Sequence, residues 1–262
     1  MMQFKALTSK CVLLILFLLH TDSNAQTFGF GCLGFVSGYG GFTYQQYDAA
    51  GLNNFVVGFN QTKSSSLQSS LDEFSSAGGY RVGINFFRAA FPAGFFITAK
   101  GYYQSLGKTN STSENTGTST VDYDFELDLK NWAVGFDVGM NIFDRLSWKI
   151  IDGAFHFNNV SLTSTENSPG VTTVTKYESD AGVLGYSIGT GVVVFLIKDY
   201  ISLEGLAGYT FIQIEEMQTE DGQRFPIVYP DPIPMPTDDS SNNFIDSGGF
   251  TAVIQLNIGF PL

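Results

Sequence analysis

The sequence predicts an all-β chain: an eight-stranded antiparallel up-and-down transmembrane β-barrel with long extracellular loops. Three observations predict it. The first is the stretch Phe250 to Phe260, F-T-A-V-I-Q-L-N-I-G-F. Phe250, Ala252, Ile254, Leu256, Ile258 and Phe260 fall on one face, and Thr251, Val253, Gln255, Asn257 and Gly259 on the other. That is the period of two of a β-strand. An uncharged apolar face opposite a mostly small or polar one suits lipid outside and a lumen inside. The second is composition: 15% of the 262 residues are charged and 15% aromatic, with 29 Gly and 25 Phe. A soluble domain carries about 25% charged residues. The third is the alternation of connections. They are mostly long and polar after strands one, three, five and seven, and short after two, four and six, as in barrels with periplasmic turns and extracellular loops.

The N-terminus reads as a secretory signal peptide. Lys5 and Lys10 precede the apolar run Cys11 to Leu19, and Ser23 and Ala25 supply small residues for cleavage. Residues 1–25 are therefore assigned to the signal and 26–262 to one barrel domain. Nine apolar residues are too few for a spanning helix. The formal charge is −12; removal of Lys5, Lys10 and Asp22 makes it −13, which excludes a nucleic-acid partner. Cys32 is the one cysteine left, so no internal disulfide forms.

Strand one is expected over Phe35 to Tyr47, with Ser37, Tyr39, Thr43 and Gln45 sharing a face. From Asp48 to Gly78 the alternation stops. Leu52, Phe55, Val56 and Phe59 have helical spacing, with Asp48 as the expected N-cap; Leu67, Leu71 and Phe74 suggest a second, weaker helix. This loop either folds onto the barrel rim or contacts a partner or membrane surface. Strand two runs from Gly79 to Phe87, with Arg88 to Ala93 as a turn. Strand three follows, with Thr98, Lys100 and Gln104 inward, and Lys108 to Thr118 is expected as a loop.

Strand four is long, Val121 to Ile142. Its apolar residues sit on odd numbers from Val121 to Leu129 and on even numbers from Trp132 to Ile142. A β-bulge near Lys130 and Asn131 would explain the slip. The strand is about 70 Å long at roughly 3.3 Å per residue, so it should stand well above a lipid band about 25 Å tall. The acidic row Asp122 to Asp128 lies in that projecting part. Asp144-Arg145 is a two-residue turn. Strand five runs from Leu146 to Thr163, strand six from Thr172 to Ile197, and strand seven from Ile201 to Met217. Gln218 to Gly248 is a long connection that includes five of the chain's eight prolines. The final strand completes eight and puts both termini on the periplasmic side.

In strand pattern, loop asymmetry and terminal F-T-A-V-I-Q-L-N-I-G-F strand, the mature chain resembles the small OmpA/OmpX-like family of eight-stranded outer-membrane barrels. The terminal strand looks like the insertion signal of such proteins, although Pro261-Leu262 follow the aromatic with which the family more often ends. The resemblance implies the outer membrane of a Gram-negative bacterium, contact with outer-membrane lipid and lipopolysaccharide, and insertion by the barrel-assembly machinery.

The chemistry-bearing residues are few. Gly185-Tyr186-Ser187-Ile188-Gly189 matches G-x-S-x-G, but that motif needs a strand–turn–helix elbow, and here it lies inside a strand. His156 is either a barrel-wall histidine or, with Asn158 or Asn159, part of a lipid hydrolase; no serine is identifiable in its reach. One histidine and one cysteine do not make a zinc site. The pair Asp238-Asp239 is either a solvated loop or a calcium contact, and no cofactor is expected. The inward set Arg81, Lys100 and Lys149 is expected to meet Asp137 and Glu204, because charges removed from water must be paired. That set is either a structural salt-bridge core or a narrow ion path. Finally, Arg224 to Asp239 spaces Phe225, Tyr229, Ile233 and Met235 between prolines. It is expected either to fold across the barrel mouth or to bind a protein partner outside the cell. The functional expectation is a non-enzymatic structural or interaction protein with an acidic extracellular crown. The alternatives are an adhesion module, a narrow channel and a lipid-modifying enzyme.

Overall fold

The computed structural model describes residues 37–198, 200–226 and 243–259. Among them the strands are β1 (Ser37–Asp48), β2 (Ser76–Ala90), β3 (Phe95–Asn115), β4 (Thr120–Phe143), β5 (Leu146–Ser168), β6 (Val171–Glu178), β7 (Val183–Ile197), β8 (Ile201–Phe211) and β9 (Ser247–Gly259). One α-helix, α1 (Ala50–Thr62), follows β1. Eight of the strands form a closed antiparallel ring in the order β1-β2-β3-β4-β5-β7-β8-β9, sealed where β9 pairs with β1. The ninth, β6, pairs only with β5.

Alternation places the side chains. On β9, Val253, Gln255 and Asn257 are buried inside while Ile254, Leu256 and Ile258 are exposed outside. The narrow lumen sets glycine positions: a Cβ on Gly83 would lie 2.5 Å from the Tyr39 ring. The turn from β5 to β6 is Pro169-Gly170, with Gly170 at φ 84°, as a turn with proline first and a left-handed residue second requires.

β4 departs from the expected bulge. Its register runs unbroken through Lys130, opposite Ser105 and Asn159, and Asn131, opposite Gln104 and Asn158. Odd-numbered residues from Val121 to Asp137 face inward, except that Gly135 is only half-buried. Surroundings change along the strand instead of phase. Below Lys130 the outside is apolar, with Trp132, Val134 and Phe136 exposed; above it Val121, Tyr123, Phe125, Leu127 and Leu129 are buried inside, and Asp122, Asp124, Glu126 and Asp128 alternate with them on the outside. A shift does occur lower, between Val138 and Gly139, where β5 holds an extra residue.

Other expectations change with it. The Lys108 to Thr118 loop is mostly strand, because β3 pairs with β4 as far as Asn115 and Thr120. Leu67 to Phe74 is not a helix; Leu67 bridges to Glu114, while Leu71 and Phe74 point into the core. The N-cap of α1 is Ala49, with no side-chain cap, so Asp48 does not fill that role. The expected sixth strand is two strands, because the chain leaves β5 at Glu178 and rejoins it at Val183. The expected seventh ends at Phe211 and not at Met217. The signal segment, Tyr229, Ile233, Met235 and Asp238-Asp239 lie outside the described residues.

Candidate functional site

The lumen is built in three layers. The lowest contains three cations and three carboxylates, all buried: Arg81, Lys100, Lys149, Asp137, Asp152 and Glu204. The Lys149 ammonium lies 2.9 Å from Asp137 Oδ2, 2.5 Å from Glu204 Oε1 and 3.9 Å from Asp152 Oδ2. Lys100 donates to Asp152. Glu204 Oε2 accepts from Asn257 at 3.1 Å. Asp137 is wholly buried and neither of its oxygens takes an oriented hydrogen bond, so the Lys149 charge is what compensates it. Six charges summing to zero satisfy the requirement that buried ions be paired.

Four of the five residues expected in this layer fall within one ion-pair cluster. Arg81 does not reach a carboxylate: it donates to Gln104 Oε1 from Nε at 3.0 Å and Nη2 at 2.7 Å, and its guanidinium lies 4.1 Å from the centre of the Tyr102 ring. Asp152, which completes the neutral set, was missed. Strict alternation from Lys149 puts an even-numbered residue outside, but the extra β5 residue turns Asp152 inward.

The middle layer contains His156. Ser187 Oγ lies 2.9 Å from its Nε2, so a serine is in reach, contrary to the sequence expectation. That serine belongs to the G-x-S-x-G stretch of β7. Tyr102 Oη is 3.4 Å from the same nitrogen, and Asn131 Oδ1 is 3.4 Å from Nδ1. Asn158 and Asn159 do not orient the ring: Asn158 donates to Val183 O and Asn159 accepts from Gly182 N. The order Ser187, His156, Asn131 has the composition of a nucleophile, base and orienter. It sits on straight strands inside the wall, between the charge layer below and an apolar plug above. Nothing in that position presents the serine to lipid or water as an elbow would.

The upper layer is an apolar plug. Leu52 and Val56 of α1 pack with Leu71, Phe74, Leu106, the odd-numbered face of β4, and residues of the β8–β9 connection such as Ile214, Phe244 and Ile245. Phe225 belongs here too. It is buried, with its ring 4.9 Å from Phe55, 5.1 Å from Tyr177 and 5.4 Å from Phe244. The start of the proline-rich connection thus serves the core and not a loop tip. The plug is latched at its edge: Glu114 accepts from Lys63 Nζ at 2.6 Å, Ser66 Oγ at 2.8 Å and Tyr123 Oη at 2.9 Å. Hydrogen bonds from Lys63 and then Ser66 hold the Glu114 carboxyl below its ordinary range. Burial would lower the Lys63 ammonium, but its bonds to Glu114 and Tyr123 raise it overall.

Outside, aromatics ring the wall at two heights. Tyr80, Tyr103 and Trp132 run in series, with centroid distances of 6.4 and 5.1 Å. Tyr186, Phe211 and Tyr209 continue the upper ring at 4.5 and 4.7 Å. Phe86, Phe95, Phe143, Trp148 and Tyr200 lie exposed near the short turns. From Trp132 to Ile142 is ten residues, roughly 33 Å along the strand, or about 23 Å of height at a 45° tilt, which matches the apolar band of a membrane barrel.

No family model and no curated protein matches the sequence. Among solved structures the chain is similar to Ail, the attachment invasion locus protein of Yersinia pestis. In complex with the heparin analogue sucrose octasulfate, that protein aligns at 12% identity and a TM-score of 0.36 over 86% of this chain and 97% of its own. Ail alone aligns at 12% identity and a TM-score of 0.36 over 87% and 99%. The barrel assignment rests on the closed ring of strands and not on that likeness.

Proposed function

We propose that the chain is a non-enzymatic integral outer-membrane protein of the OmpA/OmpX-like kind that holds a β-sheet above the outer leaflet as an interaction surface. The observation that carries this is the reversal on β4. Its outward face passes from Trp132, Val134 and Phe136 to Lys130, Asp128 and Glu126 with no break in register. One continuous strand therefore crosses from lipid into water. Sixteen acidic and five basic residues lie above the upper aromatic ring among the described residues, which supports an acidic extracellular crown of net charge −11. In this reading the turns and termini are periplasmic, the wall contacts outer-membrane lipid and lipopolysaccharide, and the barrel-assembly machinery inserts the chain. The polyanion held by Ail is a poor fit to a crown of this charge.

The test is cysteine labelling in intact cells, in a Cys32→Ser background. Glu126→Cys reacts with a membrane-impermeant maleimide and Val134→Cys does not. Equal labelling of the two sinks the proposal.

The Ser187–His156 contact favours a second reading, a lipid-modifying enzyme. That reading expects lipid profiles to change when His156 is replaced by Ala. The burial of His156 inside the barrel wall, with Ser187 half-buried against it, argues for unchanged profiles.

A further inference from the structure

Near the short turns the alternation of the wall breaks in the same way on three strands. β2, β4 and β7 each carry one residue with no cross-strand partner, between Asn85 and Phe87, Asn141 and Phe143, and Phe195 and Ile197. Such an extra residue is a β-bulge, and it re-aims the side chains beside it. Strict alternation would send one residue of each adjacent pair into the lumen. Here Phe86–Phe87, Ile142–Phe143 and Leu196–Ile197 all lie outside, each residue at least 39% exposed. The rim at the turns is therefore doubly apolar.

Two of these pairs sit side by side and end in charge. β5 joins β7 at the Leu146–Val194 pair, and Phe195 N donates to Arg145 O at 2.9 Å, so the β4–β5 and β7–β8 turns are neighbours. They expose Arg145 and Lys198. Among the described residues neither forms an ion pair, whereas four crown cations do. Lys63 meets Glu114, Lys130 meets Asp128, Lys176 meets Glu178 and Arg224 meets Glu216, all at 2.6 to 3.0 Å. In the sequence Asp144 precedes Arg145 and Asp199 follows Lys198, so the charges of the two turns sum to zero. Phe143 lies eleven residues below Trp132, roughly 26 Å of height at a 45° tilt, at the lower limit of the lipid band.

We infer that these two turns hold the headgroup of a zwitterionic phospholipid in the leaflet on their side of the membrane. The inference rests on the membrane reading above and names a lipid site within it. Two features select the occupant. The apolar pairs continue the lipid-facing wall without a gap, so acyl chains lie against Ile142, Phe143, Leu196 and Ile197. The charges directly beyond them are of both signs and cancel. A headgroup with phosphate alone would use the cations and repel Asp144, whereas one carrying phosphate and ammonium meets both signs. Arg145 and Lys198 donate to the phosphate oxygens, the guanidinium through its fork and the ammonium as a point charge. The Asp144 carboxylate accepts from the lipid ammonium. A soluble phosphate lacks the acyl chains that the apolar pairs require.

The probe is phosphatidylethanolamine brominated in its acyl chains, added at low mole fraction to the whole barrel in dodecyl maltoside micelles. Bromine quenches tryptophan on contact. Trp148 is the reporter, because it lies exposed on the outside of β5, three residues from Arg145. Trp132→Phe removes the chain's other tryptophan. Controls are phosphatidylglycerol and diacylglycerol brominated at the same positions. Phosphatidylethanolamine quenches Trp148 more than random mixing with detergent allows, phosphatidylglycerol does no better, and diacylglycerol stays at the random level. Arg145→Gln with Lys198→Gln weakens phosphatidylethanolamine about fivefold, the size expected for two exposed charge contacts. Lys130→Gln, at the upper ring, leaves it unchanged.

Equal quenching by diacylglycerol overturns the inference, as does quenching that Arg145→Gln with Lys198→Gln leaves unchanged. Tighter binding of phosphatidylglycerol overturns the zwitterionic occupant, since Asp144 would then take no part. Asp144→Asn tests that role directly and shifts the preference toward phosphatidylglycerol. Each variant keeps its gel shift on boiling, which shows that the barrel is folded. Loss of the membrane reading shows separately, as equal labelling of Glu126→Cys and Val134→Cys.

Discussion

The lower and upper halves of this molecule are built from the same strands and have opposite cores. Below Lys130 the buried apolar cluster is four residues, Tyr39, Tyr102, Ala133 and Ala154; Ala89, Phe96 and Val193 are buried singly, and most of the remaining interior is polar or charged. Above it twenty-one buried apolar residues form one cluster, and the acids face out. β4 and β5 run through both halves. The difference therefore cannot come from backbone geometry, and the solvent outside sets it. Where lipid covers the wall, apolar side chains gain nothing by turning inward, and the lumen is left to groups that satisfy one another. Where water covers the wall, burial of apolar area is worth about 25 cal/mol per Å², so the same alternation inverts. Stability in the lower half depends on charge pairing, and in the upper half on packing.

The largest expected effect follows from that contrast. Lys149→Ala removes the cation facing Asp137 and Glu204 and leaves wholly buried Asp137 without compensation. Breaking such a pair costs about 3–5 kcal/mol, read as a lower midpoint of reversible unfolding in lipid vesicles for the whole barrel. A neutral effect would mean that water reaches the lower lumen. Leu127→Ala tests the other half. Leu127 is fully buried in the plug, and its truncation costs about 2–5 kcal/mol. The loss should be local. Amide exchange should accelerate in α1 and in the upper parts of β3 to β5, while the barrel still migrates differently on a gel before and after boiling. If both variants unfold the molecule in one transition, the halves are not separate cooperative units.

The ring was legible in the sequence because period two survives wherever both solvents are constant. The segment from Thr251 to Asn257 shows this, with Thr251, Val253, Gln255 and Asn257 buried and Ile254 and Leu256 exposed. The reversal on β4 was read as a bulge near Lys130 because a sequence shows which face is apolar but not what lies against it. A slip in register and a change of solvent leave the same pattern. Asp152 was missed for the converse reason: a real extra residue in β5 leaves no mark on a stretch where polar and apolar residues mix. The Ser187–His156 contact needs the register between β5 and β7, and the excursion through β6 hides it. For Phe225 the sequence leaves two readings, folded across the barrel mouth or bound outside, and the structure seats its ring in a gap that α1, β6 and Phe244 create together. Spacing along the chain does not encode such a gap.

The smallest expected effect is a pH dependence confined to the upper half. Glu114 binds its proton less readily in the folded protein than in the unfolded chain, because Lys63 and Ser66 hydrogen-bond its carboxylate. Its contribution is present above the ordinary glutamate range and is lost as pH falls through the lowered folded value. Lys63 is raised overall, so its share is present below the ordinary lysine range and fades only as pH rises through the folded value. The latch is therefore closed across neutral pH and weakens in acid. Asp246 works against it. Burial, and then Asp48, raise its carboxyl, so its ionised form destabilises at neutral pH and protonation relieves the strain as pH falls. With Lys63 and Glu114 side chains 28% and 14% exposed, the latch contributes about 1 kcal/mol or less. Amide exchange of Leu52 to Phe59, corrected for intrinsic rates at pH 7, 5 and 3.5, reads it directly. Protection should fall with pH in the native chain. It should start lower and stay flatter in Glu114→Gln, and start higher at pH 7 in Asp246→Asn. An acid loss of protection that survives Glu114→Gln unchanged would place the sensitive group elsewhere in the upper half.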